Sequence, residues 1–191
     1  MRALLAFTAA LACAAPAWAF DLPPRALAQL AQGRAWIEVR PDADGVSGQI
    51  RAAIDIPAPQ SLVWDLMTDC GLAPKFVVNL KSCRIVERDP LGLWDVREQV
   101  SSAPFLPNLR TVFRADYEPQ ARMRFHAVDG DLKVFEGEWR LEGHDGQVRV
   151  TYEARAAAPF STPAWISRAV LRRDVPAALL ALRREAVARI R

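Results

Sequence analysis

The chain is 191 residues long, 51% of them hydrophobic, with 25 Lys and Arg against 22 Asp and Glu and a formal net charge of +3. That length suits one domain with a real core and calls for no second one. After Phe20 every apolar run is broken within a few residues by Arg, Asp, Glu or Pro, which excludes a later membrane-spanning helix of roughly 20 apolar residues.

The first residues read as a secretory signal. Met1-Arg2 supplies the positive start, residues 3–15 an uncharged apolar stretch, and Ala17-Trp18-Ala19 a small-x-small cleavage site. Pro16, Asp21, Pro23 and Pro24 stop the run before it can span a bilayer. Cleavage after Ala19 is expected, and with it a periplasmic location. Cys13, which follows Ala10-Leu11-Ala12, offers lipidation as the alternative processing, although Ala10 stands where such sites usually carry Leu. Removing residues 1–19 from 191 leaves 172 residues, and since Arg2 is the only charge lost, 24 basic and 22 acidic side chains remain. Only Cys70 and Cys83 survive this processing. An even pair in an oxidising compartment predicts a disulfide in preference to a metal site, which would need further Cys or His ligands nearby; no metal is expected.

Along the remaining chain, residues 25–32 can form a short helix before Gly33. Residues 36–40 alternate, residues 41–45 turn, and residues 46–56 alternate again with apolar or small side chains at every even position, which predicts a hairpin with one wet face. Pro57 and Pro59 stop that strand, and Pro59 can open a helix. Val63, Leu66, Met67 and Cys70 then share one helical face up to Gly71, and a second short helix is expected over residues 73–78. Six strands follow, at residues 82–88, 93–100, 109–117, 123–128, 132–141 and 147–155. Between them lie turn signals, with Asp129-Gly130 and Asp145-Gly146 as tight-hairpin pairs, so these strands are predicted to be antiparallel neighbours. The tail returns to helical period. Thr162-Pro163 can open a helix, Asp174-Val175-Pro176 marks a kink or a fresh start, and Val175, Leu179, Leu182, Ala186 and Ile190 form an apolar stripe.

Two strands, two short helices, six antiparallel strands and a long terminal helix define an α+β helix-grip arrangement, a curved antiparallel sheet wrapped around the last helix. Residues 1–19 are then the signal peptide, 20–45 an N-terminal extension with the first strand, and 46–191 the helix-grip domain. The stretch Ile54-Asp55-Ile56-Pro57, with the Val63-Trp64 and Thr68-Asp69 pairs, resembles the first strand and helix of the START and polyketide-cyclase superfamily. Gly137-Glu138-Trp139-Arg140-Leu141, Val150-Thr151-Tyr152-Glu153-Ala154 and the tail from Pro163 through Trp165-Ile166 to Leu182-Arg183-Arg184-Glu185-Ala186 resemble its last strands and helix. The resemblance covers about residues 46–190, and the coenzyme-Q-binding START-like proteins of the periplasm are the members it most suggests. It implies a cavity between sheet and terminal helix that takes a sterol, phospholipid, quinone, polyketide or similar hydrophobic ligand, with some members cyclising or dehydrating polyketides.

Strand parity supplies the expected lining. Leu109, Thr111, Phe113, Ala115 and Tyr117 share one face; Met123 with Phe125, Phe135 with Trp139, and Val148 with Val150 and Tyr152 share others. Trp165, Leu179 and Leu182 would close the site from the terminal helix. The alternative is that these aromatics fill a solid core. Glu98 has the parity of Trp94, Val96 and Val100, which would put a carboxylate on the apolar face as a polar anchor; the alternative is a position in water at a strand edge. No catalytic residue is expected: His126 alternates against Met123 and Phe125 and faces water, and His144 lies in a turn. No cofactor is expected either. From residue 165 onward seven Arg face only Asp174 and Glu185. An exported protein seldom meets nucleic acid, so the basic tail is either a solvated helix face or a peripheral contact with anionic membrane through Arg172, Arg173, Arg183 and Arg184. The function expected is periplasmic binding of a hydrophobic molecule as carrier or sensor. A polyketide-type cyclase or dehydratase and a non-binding interaction scaffold are the alternatives.

Overall fold

In the computed structural model the described residues are 21–42, 47–102, 108–157 and 164–190, with side chains described from residue 168 onward in the last stretch. The expected signal segment, residues 1–19, lies outside them. Pro24 occupies the first turn of helix α1 (Pro24–Ala31), where its missing N–H goes unused. Strands β1 (Trp36–Pro41) and β2 (Gly48–Ile56) form the first hairpin, and α2 (Gln60–Thr68) follows. The Asp69 carboxylate then accepts the Gly71 N–H at 2.7 Å, and α2 ends at Thr68, three residues before the predicted glycine. The expected second helix shrinks to one 3-10 turn, Ala73–Lys75.

Strands β3 (Leu80–Arg88), β4 (Trp94–Ser101), β5 (Leu109–Glu118), β6 (Arg122–Gly130), β7 (Val134–His144) and β8 (Gln147–Ala157) make an antiparallel meander, and α3 (Ala164–Ala188) completes the chain. β8 pairs back onto β2, giving one eight-stranded sheet in the order β1-β2-β8-β7-β6-β5-β4-β3. The α+β helix-grip arrangement is thus the observed fold. Asp145 and Gly146 both have positive φ, 45° and 74°, and form the expected two-residue hairpin turn between β7 and β8. Asp129-Gly130 is not a turn. It extends β6 opposite Val112 and Thr111 across a bulge, and residues 131–133 make the connection.

The sheet is curved by bulges in β3–β4 and β5–β6 and by a close backbone approach at Gly137. A Cβ there would lie 2.2 Å from the Glu153 carbonyl oxygen and 2.7 Å from the Ala154 Cα, so only glycine fits. The concave face carries the predicted even positions of β2, Ile50, Ala52, Ile54 and Ile56, all buried with Val63 and Leu66 of α2, Val148 and Val150 of β8, and Leu179, Leu182 and Ala186 of α3. α1 covers the opposite face, where Ala26 and Leu30 pack on Trp36 and Ala53. Helix α3 runs through Pro176 without interruption and packs on β1, β2 and α2. Among the described residues no helix is long and apolar enough to cross a membrane.

Cys70, just past α2, is bonded to Cys83 in β3 with Cα atoms 5.3 Å apart. The bond closes a 13-residue separation and pins the segment around the 3-10 turn against the sheet edge.

Candidate functional site

Where β2 and the adjoining half of β8 meet α2 and α3, the interior is solid. Toward β4–β7 it opens into a cavity of about 300 Å³, walled by the sheet, the segment after α2, and α3. Phe113, Phe125, Phe135, Trp139 and Tyr152 supply an aromatic wall from four adjacent strands. Their rings contact edge to face or tilted, Phe113 on Phe135 at 5.4 Å, Phe125 on Phe135 at 4.8 Å and Trp139 on Tyr152 at 4.2 Å. Such pairs are worth roughly 0.5–1.5 kcal/mol each beyond the area they bury. Met67, Val77, Leu179 and Leu182 close the far side.

Of the residues expected to line the cavity, Leu109, Thr111, Phe113, Met123, Phe125, Phe135, Trp139, Tyr152, Leu179 and Leu182 do so. Ala115, Val148 and Val150 lie on the same concave face but are fully buried in the solid core. Trp165 belongs to α3, and its side chain lies outside the described residues.

Glu98 is the clear correction. It sits on the outer face of β4, where its carboxylate accepts from Arg84 at 2.9 Å and Arg110 at 2.7 Å. Those hydrogen bonds, from Arg84 and Arg110, hold its pKa below the ordinary carboxylate value. The parity argument took the apolar residues of β4 as the inward set, and the strand does the reverse. Asp95 and Arg97 point inward and are 3% and 2% exposed, while Gln99 and Ser101 continue that face along the cavity wall. Trp94 on the outer side is covered by the Arg114 guanidinium, 4.1 Å above its ring.

Two charges can face the interior because they neutralise one another. The Asp95 carboxylate accepts Arg97 Nε at 2.8 Å and Nη2 at 2.6 Å, and the Tyr117 hydroxyl donates to it at 2.7 Å. Arg97 Nη2 also reaches the Thr68 carbonyl at 3.2 Å, at the end of α2, and the Tyr117 hydroxyl. Trp64 meets the Tyr117 ring edge to face at 5.9 Å and shields the group. Burial by itself lowers the Arg97 pKa, but the Asp95 hydrogen bond and charge and the Tyr117 hydrogen bond outweigh it, leaving the cation firmly protonated. Burial pushes the Tyr117 phenol well above its ordinary value of 10.0, against the pull of Arg97 and with help from Asp95. Sequence reasoning missed this cluster. The available signal was the alternation Asp95-x-Arg97-x-Gln99, opposite charges two apart on one strand face.

The remaining polar lining is Thr111 on β5 and Asp174 on α3. His126 and His144 are both exposed and away from the cavity. Of the four arginines proposed to meet a membrane, Arg172, Arg173 and Arg184 are exposed. Arg183 is half-buried and donates Nη1 to the Gly33 carbonyl at 2.6 Å, tying α3 to the turn before β1.

Solved structures share this architecture. The STAR-related lipid transfer protein of Xanthomonas axonopodis, residues 25–204, superposes with a TM-score of 0.68 at 19% identity, covering 80% of this chain and 93% of that one. The Zhui aromatase/cyclase of Streptomyces sp. R1128 gives 0.65 at 18% identity over 76% and 96%. The human StarD13 lipid transfer and protein localization domain gives 0.64 at 17% over 80% and 84%. At these identities the likeness is one of fold. No curated protein matches the sequence. Residues 56–183, from the end of β2 into α3, match the family model described as polyketide cyclase/dehydrase and lipid transport. With that span and the helix-grip fold in agreement, the chain belongs to the START/polyketide-cyclase superfamily.

Proposed function

We propose that the protein binds one hydrophobic small molecule in the cavity between sheet and α3 and serves as its carrier or sensor, in the periplasm after removal of residues 1–19. The observation that carries this reading is the cavity itself: about 300 Å³ of space held open by five aromatic side chains in a protein whose other half is tightly packed. Small-molecule sites occupy roughly 300–1,000 Å³, so this one is small but sufficient. At ~30 Å³ per water it has room for about ten waters. A compact lipid, a quinone head or a polyketide-like ring system fits; a whole diacyl lipid does not. The names of the neighbouring structures, lipid transfer protein and aromatase/cyclase, belong to the same range of ligands.

A carrier is favoured over a cyclase or dehydratase because the buried acidic groups behind Arg97 of the wall are already committed. Asp95 accepts three hydrogen bonds and the Tyr117 proton is donated to it, so neither is poised to exchange a proton with a ligand. A non-binding scaffold would have no reason to keep the aromatic wall apart from α3. Exchange of the ligand at an anionic membrane surface, through the exposed Arg172, Arg173 and Arg184, is part of the proposal. Co-sedimentation should then require anionic vesicles and fall as salt is added, and equal binding to neutral vesicles would remove this part. Native mass spectrometry of protein purified from its own periplasm tests the main reading. The expected result is a stoichiometric adduct of a small apolar molecule. Protein that is always free of adduct, and that takes up no apolar compound offered to it, would refute it.

A further inference from the structure

Two tyrosines face the concave interior, and their hydroxyls are treated oppositely. The Tyr117 hydroxyl is saturated, donating to Asp95 and accepting from Arg97. The Tyr152 hydroxyl, on a residue 9% exposed, has no hydrogen-bond partner among the described residues, and the ring lines the cavity. Burial alone drives its phenol far above the ordinary value of 10.0, so it carries its proton at any physiological pH. Its ring packs against Trp139 at 4.2 Å and Phe125 at 6.1 Å. A hydroxyl at the wall of a cavity ordinarily meets a protein group, a water or a ligand, and with no protein partner this one is left to a water or a ligand in the cavity.

The charges nearby decide what kind of partner suits it. The cation at the wall, Arg97, is matched by Asp95 at 2.6 Å. The other ionic group in the lining, the Asp174 carboxylate, accepts from Arg173 Nε at 2.7 Å and is compensated as well. An anionic headgroup entering the cavity would therefore lose its hydration without gaining an uncompensated cation.

We infer that Tyr152 is the specificity-determining donor of the cavity, and that the ligand is an uncharged, largely apolar molecule presenting a carbonyl or hydroxyl oxygen to the Tyr152 hydroxyl. This rests on the proposed binding function and narrows it from hydrophobic molecules in general to neutral oxygen-bearing ones.

Three probes of nearly one shape separate the possibilities: acetylnaphthalene, which offers a ketone oxygen; isopropenylnaphthalene, its hydrocarbon isostere; and naphthoate, its anionic counterpart. Titrated into the purified protein, the ketone should bind roughly tenfold more tightly than the hydrocarbon, the ratio that one hydrogen bond of about 1.4 kcal/mol supplies, and naphthoate should bind weakest. Tyr152→Phe should weaken ketone binding roughly tenfold and so abolish the preference for the ketone over the hydrocarbon, and should not lower the melting temperature of the unliganded protein. A preference that survives Tyr152→Phe, equal binding of ketone and hydrocarbon to the unsubstituted protein, or naphthoate as the tightest ligand overturns the assignment of Tyr152 while leaving the cavity a binding site. Failure of all three probes to bind overturns the binding function and this inference together.

Discussion

Asp95→Ala is the sharpest single perturbation of the fold, because Arg97 has been carried into the interior on the strength of that one carboxylate. The two side chains are 4% and 3% exposed and share two hydrogen bonds of 2.8 and 2.6 Å. Removing the acid deletes both, together with the one it accepts from Tyr117, and leaves a guanidinium with only the Thr68 carbonyl and the Tyr117 hydroxyl for partners. Breaking a buried ion pair from one side costs about 3–5 kcal/mol, a large share of a total stability of about 5–15 kcal/mol. For a domain of this size that corresponds to a fall in Tm of roughly 6–20 °C. Urea denaturation followed by circular dichroism reads the change as a shift in midpoint at constant slope. The double variant Asp95→Ala, Arg97→Met should be more stable than Asp95→Ala alone, since the stranded charge is gone. A loss below about 1 kcal/mol in the single variant, or a double variant less stable than the single, would show that Arg97 is not buried as a charge-compensated pair.

Reduction of Cys70–Cys83 should lower stability by roughly 3 kcal/mol on the chain-entropy model. Because Ala73, Phe76 and Val77 of the closed segment line the cavity, reduction should also weaken apolar binding; a fully reduced protein with unchanged stability and binding would contradict both. Stability should fall as the solution is acidified through about pH 5 to 3. Glu98, held down by hydrogen bonds from Arg84 and Arg110, Glu118 by one from Arg122, and Asp129 by one from Arg110, all have folded pKa values below their ordinary ones. Their contribution is complete above the unfolded pKa and is lost as pH drops through the folded one. Added salt should flatten the acid limb, since these pairs are at the surface. In the alkaline direction the sign reverses: Tyr117 and Tyr152 are raised by burial, so stability is full below pH 10 and declines above it, and less steeply in Tyr152→Phe.

The fold was legible because its signals were periodic. Alternation over β2, the shift to helical spacing at Val63, Leu66 and Met67, and the Asp145-Gly146 turn each follow from local geometry, and together they leave few topologies. The aromatic wall was legible for the same reason, since Phe113, Phe125, Phe135, Trp139 and Tyr152 each sit at the inward parity of their strands. Parity failed on β4. A sequence displays which residues are polar but not which polar residues will neutralise one another, and the pairing of Asp95 with Arg97 and Tyr117 lets charge occupy the inward face. Glu98, assigned inward by the same rule, is drawn outward by Arg84 on β3 and Arg110 on β5, partners that become neighbours only once the strands are in register. The segment after α2 was equally hidden. Its contribution to the cavity depends on the Cys70–Cys83 bond and on where β3 begins, neither of which local periodicity encodes.

The central claim is that the space between sheet and α3 receives a ligand. Ala178 lines that space from the helix side, and a tryptophan in its place would fill the cavity without removing any core side chain. Titration with a solvatochromic apolar dye tests the claim most directly: the unsubstituted protein should bind one equivalent saturably, with a blue-shifted emission, and Ala178→Trp, with an unchanged circular dichroism spectrum, should lose at least tenfold in affinity. Absence of saturable binding to the unsubstituted protein, or binding undiminished in Ala178→Trp, would contradict it.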